Sequence, residues 1–545
     1  MRITTLPFLL VAALLTAPAA AQEPVLVRDF YPGASGSFVN HGRPLGFRIH
    51  DGKLLLFAND GPSLAKLFAL DDLSGNVQEL AQVGGVLGYT TTNGGIIASG
   101  DNLYFFGQQT GSINSILWRL NSSGVAPIDT IPYQVLFYHT GIPLPGGRLI
   151  FPSSDPDHGF EPWVTDGTAA GTHRLKDINP GTAGSLGSPF PLFQGFDFNG
   201  QAYFLANDGT NGMQLWTSDG TEAGTHQFAV VNTAGATGAI ALTYSKNDEH
   251  FIVGGVGQML VSDGGPATPL HTAQFALAHT AGLNYPEASG DGWMYFSAAE
   301  DQWKLYRTRG TPATTELVFS GTPNQGYQYL TELNGKNYAL TADNEHAYLV
   351  ALDPATHTST VVKTFEPDPN AGPSSGSFYG FRNDGRRFYF MGLEGTHHRQ
   401  YWRSDGTLAG TQMVHEYTPS LINGGPDAAT GQMIIFNGHF VFSANDGSVG
   451  AELFALEGVV GVAENTAASP VVKAWCDAER RITVQAEDGT LTALHLLDAA
   501  GRTLDTRSGL SAATAMLGTQ GLPAGVYLVR VVTTKGSGSV RLVLP

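Results

Sequence analysis

Cysteine is almost absent. The 545 residues contain one, Cys476, which excludes a disulfide framework and a cysteine-rich zinc site. Charge is sparse too: 14% of residues are Asp, Glu, Lys or Arg, and the formal net charge is −18. A chain this acidic repels phosphates, which argues against nucleic acid as a partner. The charge reads as solubility outside the cell rather than as an acidic binding face. Long runs at helical period are missing. Beyond the first residues no apolar run approaches the roughly 18 needed to cross a membrane, so no transmembrane helix is expected in the mature chain. Glycine is abundant instead, at 69 residues, with 30 prolines and 10% aromatics. Short Tyr/Phe/Val/Leu runs lie between Gly/Asn/Asp clusters, a pattern that predicts an all-β fold. The length exceeds one ordinary core and implies several domains or a repeat array.

Residues 1–21 read as a secretory signal peptide. Arg2 supplies the positive charge, Phe8 to Leu15 the apolar core, and Ala19-Ala20-Ala21 the small-residue site, with cleavage expected between Ala21 and Gln22.

A repeat then dominates residues 22–458. Three turns are nearly intact: Trp163-Val164-Thr165-Asp166-Gly167-Thr168, Trp216-Thr217-Ser218-Asp219-Gly220-Thr221 and Trp402-Arg403-Ser404-Asp405-Gly406-Thr407. Each continues to a second Gly-Thr, at Gly171, Gly224 and Gly410. Leu260 to Gly264 and Tyr306 to Thr311 are degenerate copies, the second with Arg309 in place of Asp. Asp accepts hydrogen bonds from nearby backbone N–H groups, Gly takes the positive φ of a tight reversal, and the aromatic is expected on a buried face. Ala-Asn-Asp-Gly precedes the aromatic by about ten residues at Ala58, Ala206 and Ala444, and Lys176-Asp177-Ile178-Asn179-Pro180-Gly181 follows the turn. One buried position per unit falls at Phe68, Trp118, Trp163, Trp216, Leu260, Tyr306, Val350, Trp402 and Phe454, with gaps of 44 to 53 residues. Four of the seven tryptophans share this position, which chance rarely arranges.

Units of this size with about four short strands fit propeller blades. The count is nine, or eight if one degenerate unit is a loop excursion; an open β-solenoid or two packed sandwiches are the alternatives. The opening Val27-Arg28-Asp29-Phe30-Tyr31-Pro32-Gly33 matches the marker that ends a unit, and the last unit stops after Glu457 without one. The N-terminal strand is therefore expected to complete the last blade and close the ring.

These units resemble the bacterial ELWxxDGT repeat of secreted and surface proteins. The resemblance implies architecture and carries no catalytic signature. Residues 459–472 lack the repeat markers and read as a linker. Residues 473–545 read as a small β-sandwich that resembles the C-terminal sorting domain of type IX secretion cargo. The match lies in Asp498, Gly501 and Arg502, the block Leu522-Pro523-Ala524-Gly525-Val526-Tyr527, and the final strand after Lys535-Gly536. The usual opening Tyr-Pro-Asn-Pro type block is replaced by Val471 to Trp475. The resemblance implies Sec export, passage through the type IX translocon as a partner, and often removal of the domain with attachment to surface lipopolysaccharide.

Residues that could carry chemistry are few. Asp155, Asp157, His158, Asp208 and Asp446 place carboxylates in turns where a hard cation such as calcium would find oxygen ligands, but no EF-hand spacing occurs and backbone capping is the favoured reading. His397 and His398 are adjacent and point apart in a strand. His173, His226 and His415 sit near repeat turns and read as rim residues. Gly372-Pro373-Ser374-Ser375-Gly376 matches G-x-S-x-G but lacks the strand before and helix after that a nucleophile elbow needs. Cys476 reads as a small buried filler. Tyr327, Tyr329, Phe378 and Tyr379 lie in loops and would stack on sugars if exposed; strand-end packing is favoured.

No catalytic residue, metal ligand or cofactor is therefore assigned. The expectation is a secreted or surface propeller with a non-enzymatic binding, adhesion or structural role toward a glycan or protein. The second reading is an extracellular hydrolase or lyase of polysaccharide.

Overall fold

Each unit folds as one antiparallel sheet. The computed structural model describes residues between 23 and 544; 1–22, 31–45, 86–94, 132–140, 187–192, 233–241, 272–291, 368–377, 446–450, 457–471 and several shorter stretches lie outside the described residues. The signal cleavage residues Ala21 and Gln22, the Gly372–Gly376 match, Asp446 and His398 fall among those stretches.

Among the described residues, nine consecutive sheets form the blades. Blade one spans Arg48–His50 to Gln78–Gly85, blade two Ile97–Ser99 to Gly124–Ile131, blade three Ile142–Leu144 to His173–Arg174, and blade four Gly195–Phe198 to His226–Ala229. Blade five runs from Tyr244–Lys246 to Thr268–His271, and blade six has three described strands between Met294–Ala299 and Glu316–Ser320. Blade seven runs from Gln325–Leu333 to Thr358–Phe365, and blade eight from Phe378–Asn383 to Gln412–Met413 with an added hairpin, Ser420–Ile422 and Gly425–Asp427. Blade nine takes Ala429–Phe436, His439–Asn445 and Ala451–Leu456 from one end of the ring and Pro24–Arg28 from the other. The N-terminal strand pairs antiparallel with Ala451–Leu456, Leu26 opposite Phe454, as the opening marker predicts.

Sequence dictates the reversals. Asp51-Gly52, Asn199-Gly200, Asn334-Gly335 and Asn437-Gly438 join first to second strands with both residues at positive φ. This is the two-residue turn whose twist matches the flanking strands.

All nine positions expected to be buried lie on the third strand of their blades (the second described strand of blade six); six are buried, whereas Trp118, Trp163 and Tyr306 are half-buried. Each faces an equivalent partner on the strand before: Leu56 with Phe68, Phe105 with Trp118, Phe151 with Trp163, Phe204 with Trp216, Val253 with Leu260, Phe296 with Tyr306, Ala339 with Val350, Phe390 with Trp402 and Phe442 with Phe454. In six blades, those of Leu260 and Val350 included, the pairing with the last strand slips by one residue immediately before this position. A recurrent bulge of this kind adds local twist at a fixed point in each blade.

Side chains on both faces pack between neighbouring sheets. Nine apolar clusters result: one each between blades one and two, two and three, and so on to eight and nine, and the ninth between blades nine and one. The seam cluster joins Leu54, Leu56 and Phe68 to Phe436, Val441 and Leu453, so the ring is closed by packing as well as by the N-terminal strand. Hydrogen bonds cross the interfaces too: Tyr104 Oη donates to Gly147 O at 2.6 Å, Arg119 Nη1 to Gly167 O at 2.8 Å, and Lys176 Nζ to Thr225 O at 2.7 Å.

The C-terminal module is a separate pair of sheets. Val472–Cys476, Ile482–Ala486 and Thr514–Leu517 form one; Thr503–Ala512, Leu491–Asp498, Gly525–Thr533 and Gly536–Leu544 form the other. Ile482, Val484, Leu494, Leu496, Val529 and Val531 fill the core between them. Among the described residues no helix is long and apolar enough to cross a membrane.

Candidate functional site

The intact turns use the same atoms three times. Asp166 Oδ1 accepts from the Thr168 amide at 2.9 Å and the Thr168 hydroxyl at 2.7 Å, and Thr168 Oγ1 accepts the Gly171 amide at 3.0 Å. Beneath them Thr165 and Thr172 join hydroxyls at 2.7 Å, and Thr165 Oγ1 takes the Gly167 amide at 3.0 Å. Asp219 and Asp405 repeat the pattern, with Ser218 and Ser404 in place of Thr165. Gly167, Gly220 and Gly406 sit at φ 88°, 86° and 87°. The second glycine has a different task. A Cβ at Gly171, Gly224 or Gly410 would stand 2.1, 2.1 or 2.0 Å from the Asp carboxylate, so the glycine clears space for it. The Thr168 hydroxyl, ahead of the opposing effect of burial, holds the Asp166 carboxyl below its ordinary value. The threonines tie the turn's two ends together.

Blade six keeps the geometry without the acid. Arg309 replaces Asp and Thr314 replaces the second Gly. Thr314 Oγ1 accepts the Arg309 and Thr311 amides, each at 3.2 Å, while Thr308 still takes Gly310 N and joins Thr315.

A second device was not anticipated from the sequence. Two residues before the aromatic stands a buried Glu or Gln: Glu161, Gln214, Gln400 and Glu452, with exposures of 0%, 2%, 0% and 0%. Glu161 accepts the Ile178 amide at 3.1 Å, the Asn179 amide at 3.2 Å and the Ser185 hydroxyl at 2.6 Å. These donors belong to the marker that follows the turn. Gln214 Oε1 accepts Val231 N and Asn232 N, and Gln400 Oε1 accepts Tyr417 N. The amides also donate, Gln214 to Asn211 O and Asn232 O, and Gln400 to His397 O and Tyr417 O. Glu452 Oε2 accepts the Phe30 amide at 3.0 Å. The recurring E/Q-x-aromatic spacing was the available signal; the partner's distance along the chain hid it. Burial pushes the Glu161 carboxyl up to about 7 against the hydrogen bonds of Ser185, Ile178 and Asn179, and the Asp177 charge adds to the rise.

The latched marker clamps the next blade. Ser185 O accepts the Asn207 amide at 2.9 Å, and a Cβ on Gly209 would meet Asn179 Oδ1 at 2.4 Å. The Asn-Asp-Gly turn is thus held from outside, while Asp208 Oδ1 takes the Thr210 and Asn211 amides.

Of the carboxylates considered for calcium, Asp208 and Asp155 are occupied in the same way. Asp155 Oδ1 accepts the Asp157 and His158 amides, both at 3.0 Å, and lies 2.6 Å from His158 Nδ1; its Oδ2 takes Arg174 at 2.8 Å. Burial raises the Asp155 carboxyl, but these partners outweigh it and hold it below its ordinary value. Among the described residues no group of three or more His, Cys, Asp or Glu is placed to hold a metal ion. His173 and His226 are exposed, His397 pairs with Glu416 at 2.6 Å and His415 with Glu23 at 2.6 Å. Tyr327, Tyr329, Phe378 and Tyr379 lie in strands rather than loops; their side chains, like that of Cys476, are outside the described set. Of the sorting-motif positions, Gly501 and Pro523 lie outside the described residues, Gly525 opens a strand opposite Leu544, and Tyr527 is buried between Asp498 and Leu542.

No protein-family model matches the sequence, and no curated protein sequence matches it. Similar solved structures include a prolyl endopeptidase, at 10% identity and TM-score 0.39, covering 85% of this chain and 56% of that one. This chain therefore spans little more than half the length of that enzyme. PorZ, a bacterial surface component of the type-IX secretion system of Porphyromonas gingivalis, matches at 10% identity and TM-score 0.25, covering 97% of this chain and 86% of that one. BamB from Moraxella catarrhalis matches at 11% identity and TM-score 0.36, covering 66% of this chain and 96% of that one. Scores this low carry no residue-to-residue correspondence.

Proposed function

We propose that this protein is a non-catalytic, extracellular binding propeller, a rigid ring that presents inter-strand loops to a glycan or protein partner. The observation that supports this reading is how its polar side chains are used. Asp155, Asp166, Asp208, Asp219, Asp405 and Glu161, the acids placed at recurrent positions, each hold backbone amides and so serve the scaffold. A scaffold made rigid in this way leaves recognition to loops. Export by the N-terminal segment and delivery through the type IX translocon by residues 473–545, with surface lipopolysaccharide as the final anchor, complete the proposal.

Two measurements test it. Surface protease should digest the full chain on intact cells, while a chain lacking 473–545 should stay protected in the periplasm; equal surface display of both refutes sorting. On glycan and protein arrays the purified full chain should retain a ligand without altering it. Release of a cleaved product would move the assignment to the hydrolase or lyase reading.

A further inference from the structure

We propose that blade eight carries a binding site for a tetrahedral oxyanion, sulfate or phosphate, between Arg387 and Arg403. One residue after the shared buried position, three blades carry arginine: Arg119, Arg307 and Arg403. In blade two Arg119 donates to Gly167 O of the next blade. In blade six Arg307 pairs with Glu316 at 2.5 Å and lies 4.3 Å over the Trp293 ring. Of the two, only Arg307 is ion-paired among the described residues. In blade eight Arg403 is 6% exposed, and the group it bonds is the neutral Gln412, at 3.2 Å.

The neighbour makes this worse. Arg403 stands opposite Tyr389 on the adjacent strand, and Arg387 lies two residues before Tyr389, at the end of the turn that opens that strand. Burial first and then the Arg387 charge push the Arg403 guanidinium below its ordinary value, against the opposite pull of Tyr389 and Glu23. The nearby acids also hold hydrogen bonds to other groups. Asp384 Oδ1 takes the Arg386 and Arg387 amides at 2.8 and 2.7 Å, and its Oδ2 takes the Tyr389 hydroxyl at 3.2 Å. Glu23 Oε2 lies 2.6 Å from His415 Nδ1. Among the described residues neither guanidinium is ion-paired, and the unbonded nitrogens of Arg403 are not sealed from solvent.

Two neighbouring guanidiniums, one buried and one half-buried, call for an anion. They approach from two strands, so the acceptor needs oxygens on more than one side. Sulfate and phosphate have them, whereas one carboxylate meets a single arginine fork. Tyr389 Oη borders the same face and could turn its hydroxyl from Asp384 to the ion. This inference does not depend on the binding role proposed above.

The test uses the full chain in low chloride, with millimolar sodium sulfate or phosphate added at constant ionic strength. The melting temperature should rise saturably, by about 2 °C. Arg387→Gln and Arg403→Gln should each abolish the rise. Without sulfate Arg387→Gln should melt no lower than wild type, because it relieves repulsion; this keeps the test readable if Arg403→Gln folds poorly. Lys53→Gln, the equivalent of Arg387 in blade one, should keep the full rise. A sulfated polysaccharide that abolishes the further rise with inorganic sulfate supports an ester-linked ligand; no competition supports the free ion. An undiminished rise in Arg387→Gln overturns the proposal. So does a rise that appears only in Glu23→Gln, which would mean that the chain's own carboxylate fills the place.

Discussion

Blade three and blade nine use one latch with opposite connectivity. In blade three, Glu161 holds the amide of Ile178, 17 residues downstream. In blade nine, Glu452 holds the amide of Phe30, 422 residues away along the chain. The acceptor and the third-strand position are the same, yet one contact is local and the other joins the two ends of the ring. A blade is therefore defined by its latch and its packing rather than by chain continuity. Loop-closure entropy grows only slowly with length, so the distant contact costs little more to form once its neighbours are in place. Losing it, however, frees a whole strand.

The sharpest way to break the comparison is to remove both acceptors. Glu452→Ala and Glu161→Ala each leave buried amide donors without partners, at about 1–3 kcal/mol apiece. In blade three the damage should stay local, because Trp163 and Arg174 remain covalently in place. In blade nine the N-terminal strand should detach as well. Glu452→Ala is therefore expected to lower the melting temperature several degrees more than Glu161→Ala, and amide exchange should rise along residues 24–28 only in the former. Equal losses would mean that the seam is held by apolar packing alone.

The next test sets blade three against blade six. Gly171→Thr should cost about 3 kcal/mol, the scale of a severe steric conflict, because its Cβ would sit 2.1 Å from Asp166 Oδ1. Asp166→Arg combined with Gly171→Thr recreates the pair found as Arg309 and Thr314, and should recover most of that loss. Urea unfolding of the two single variants and the double measures the coupling. Additive costs would show that the exchange between blades is coincidental.

Much of this architecture was legible because its signals are contiguous. Trp163, Asp166 and Gly167 lie within five residues of sequence, and the Arg28 to Gly33 segment copies the Lys176 to Gly181 marker closely enough to foretell the closing strand. Even the weak positions Leu260 and Val350 fell correctly, since spacing survives when residue identity does not. What stayed hidden depends on register or distance. The role of Glu161 requires knowing that residues 178 and 185 fold back over it. The Arg387 and Arg403 pair exists only once Tyr389 is opposite Arg403. The Thr314 replacement for Asp166 is visible only as a set of hydrogen bonds. Ligand-facing loops carry no repeat, and nothing periodic marks them.

The smallest effect expected sharpens the comparison between blades three and four, where Glu161 and Gln214 hold equivalent amides. Glu161 has its carboxyl pushed up to about 7 from an ordinary 4.5. A carboxyl whose value rises on folding contributes its stability below pH 4.5 and loses it as pH climbs through 7. Blade three should therefore loosen between these limits, by at most about 3 kcal/mol on the usual conversion of pKa shift to free energy and by about 1–2 kcal/mol after local relaxation. Glu161→Gln supplies the neutral acceptor that blade four already uses. It should match wild type near pH 4.5 and exceed it at pH 8, while Gln214→Glu should import the same pH dependence into blade four. Unfolding curves across that range decide the matter. If wild type and Glu161→Gln run parallel, Glu161 stays ionised in the folded ring and the three donors around it outweigh its burial.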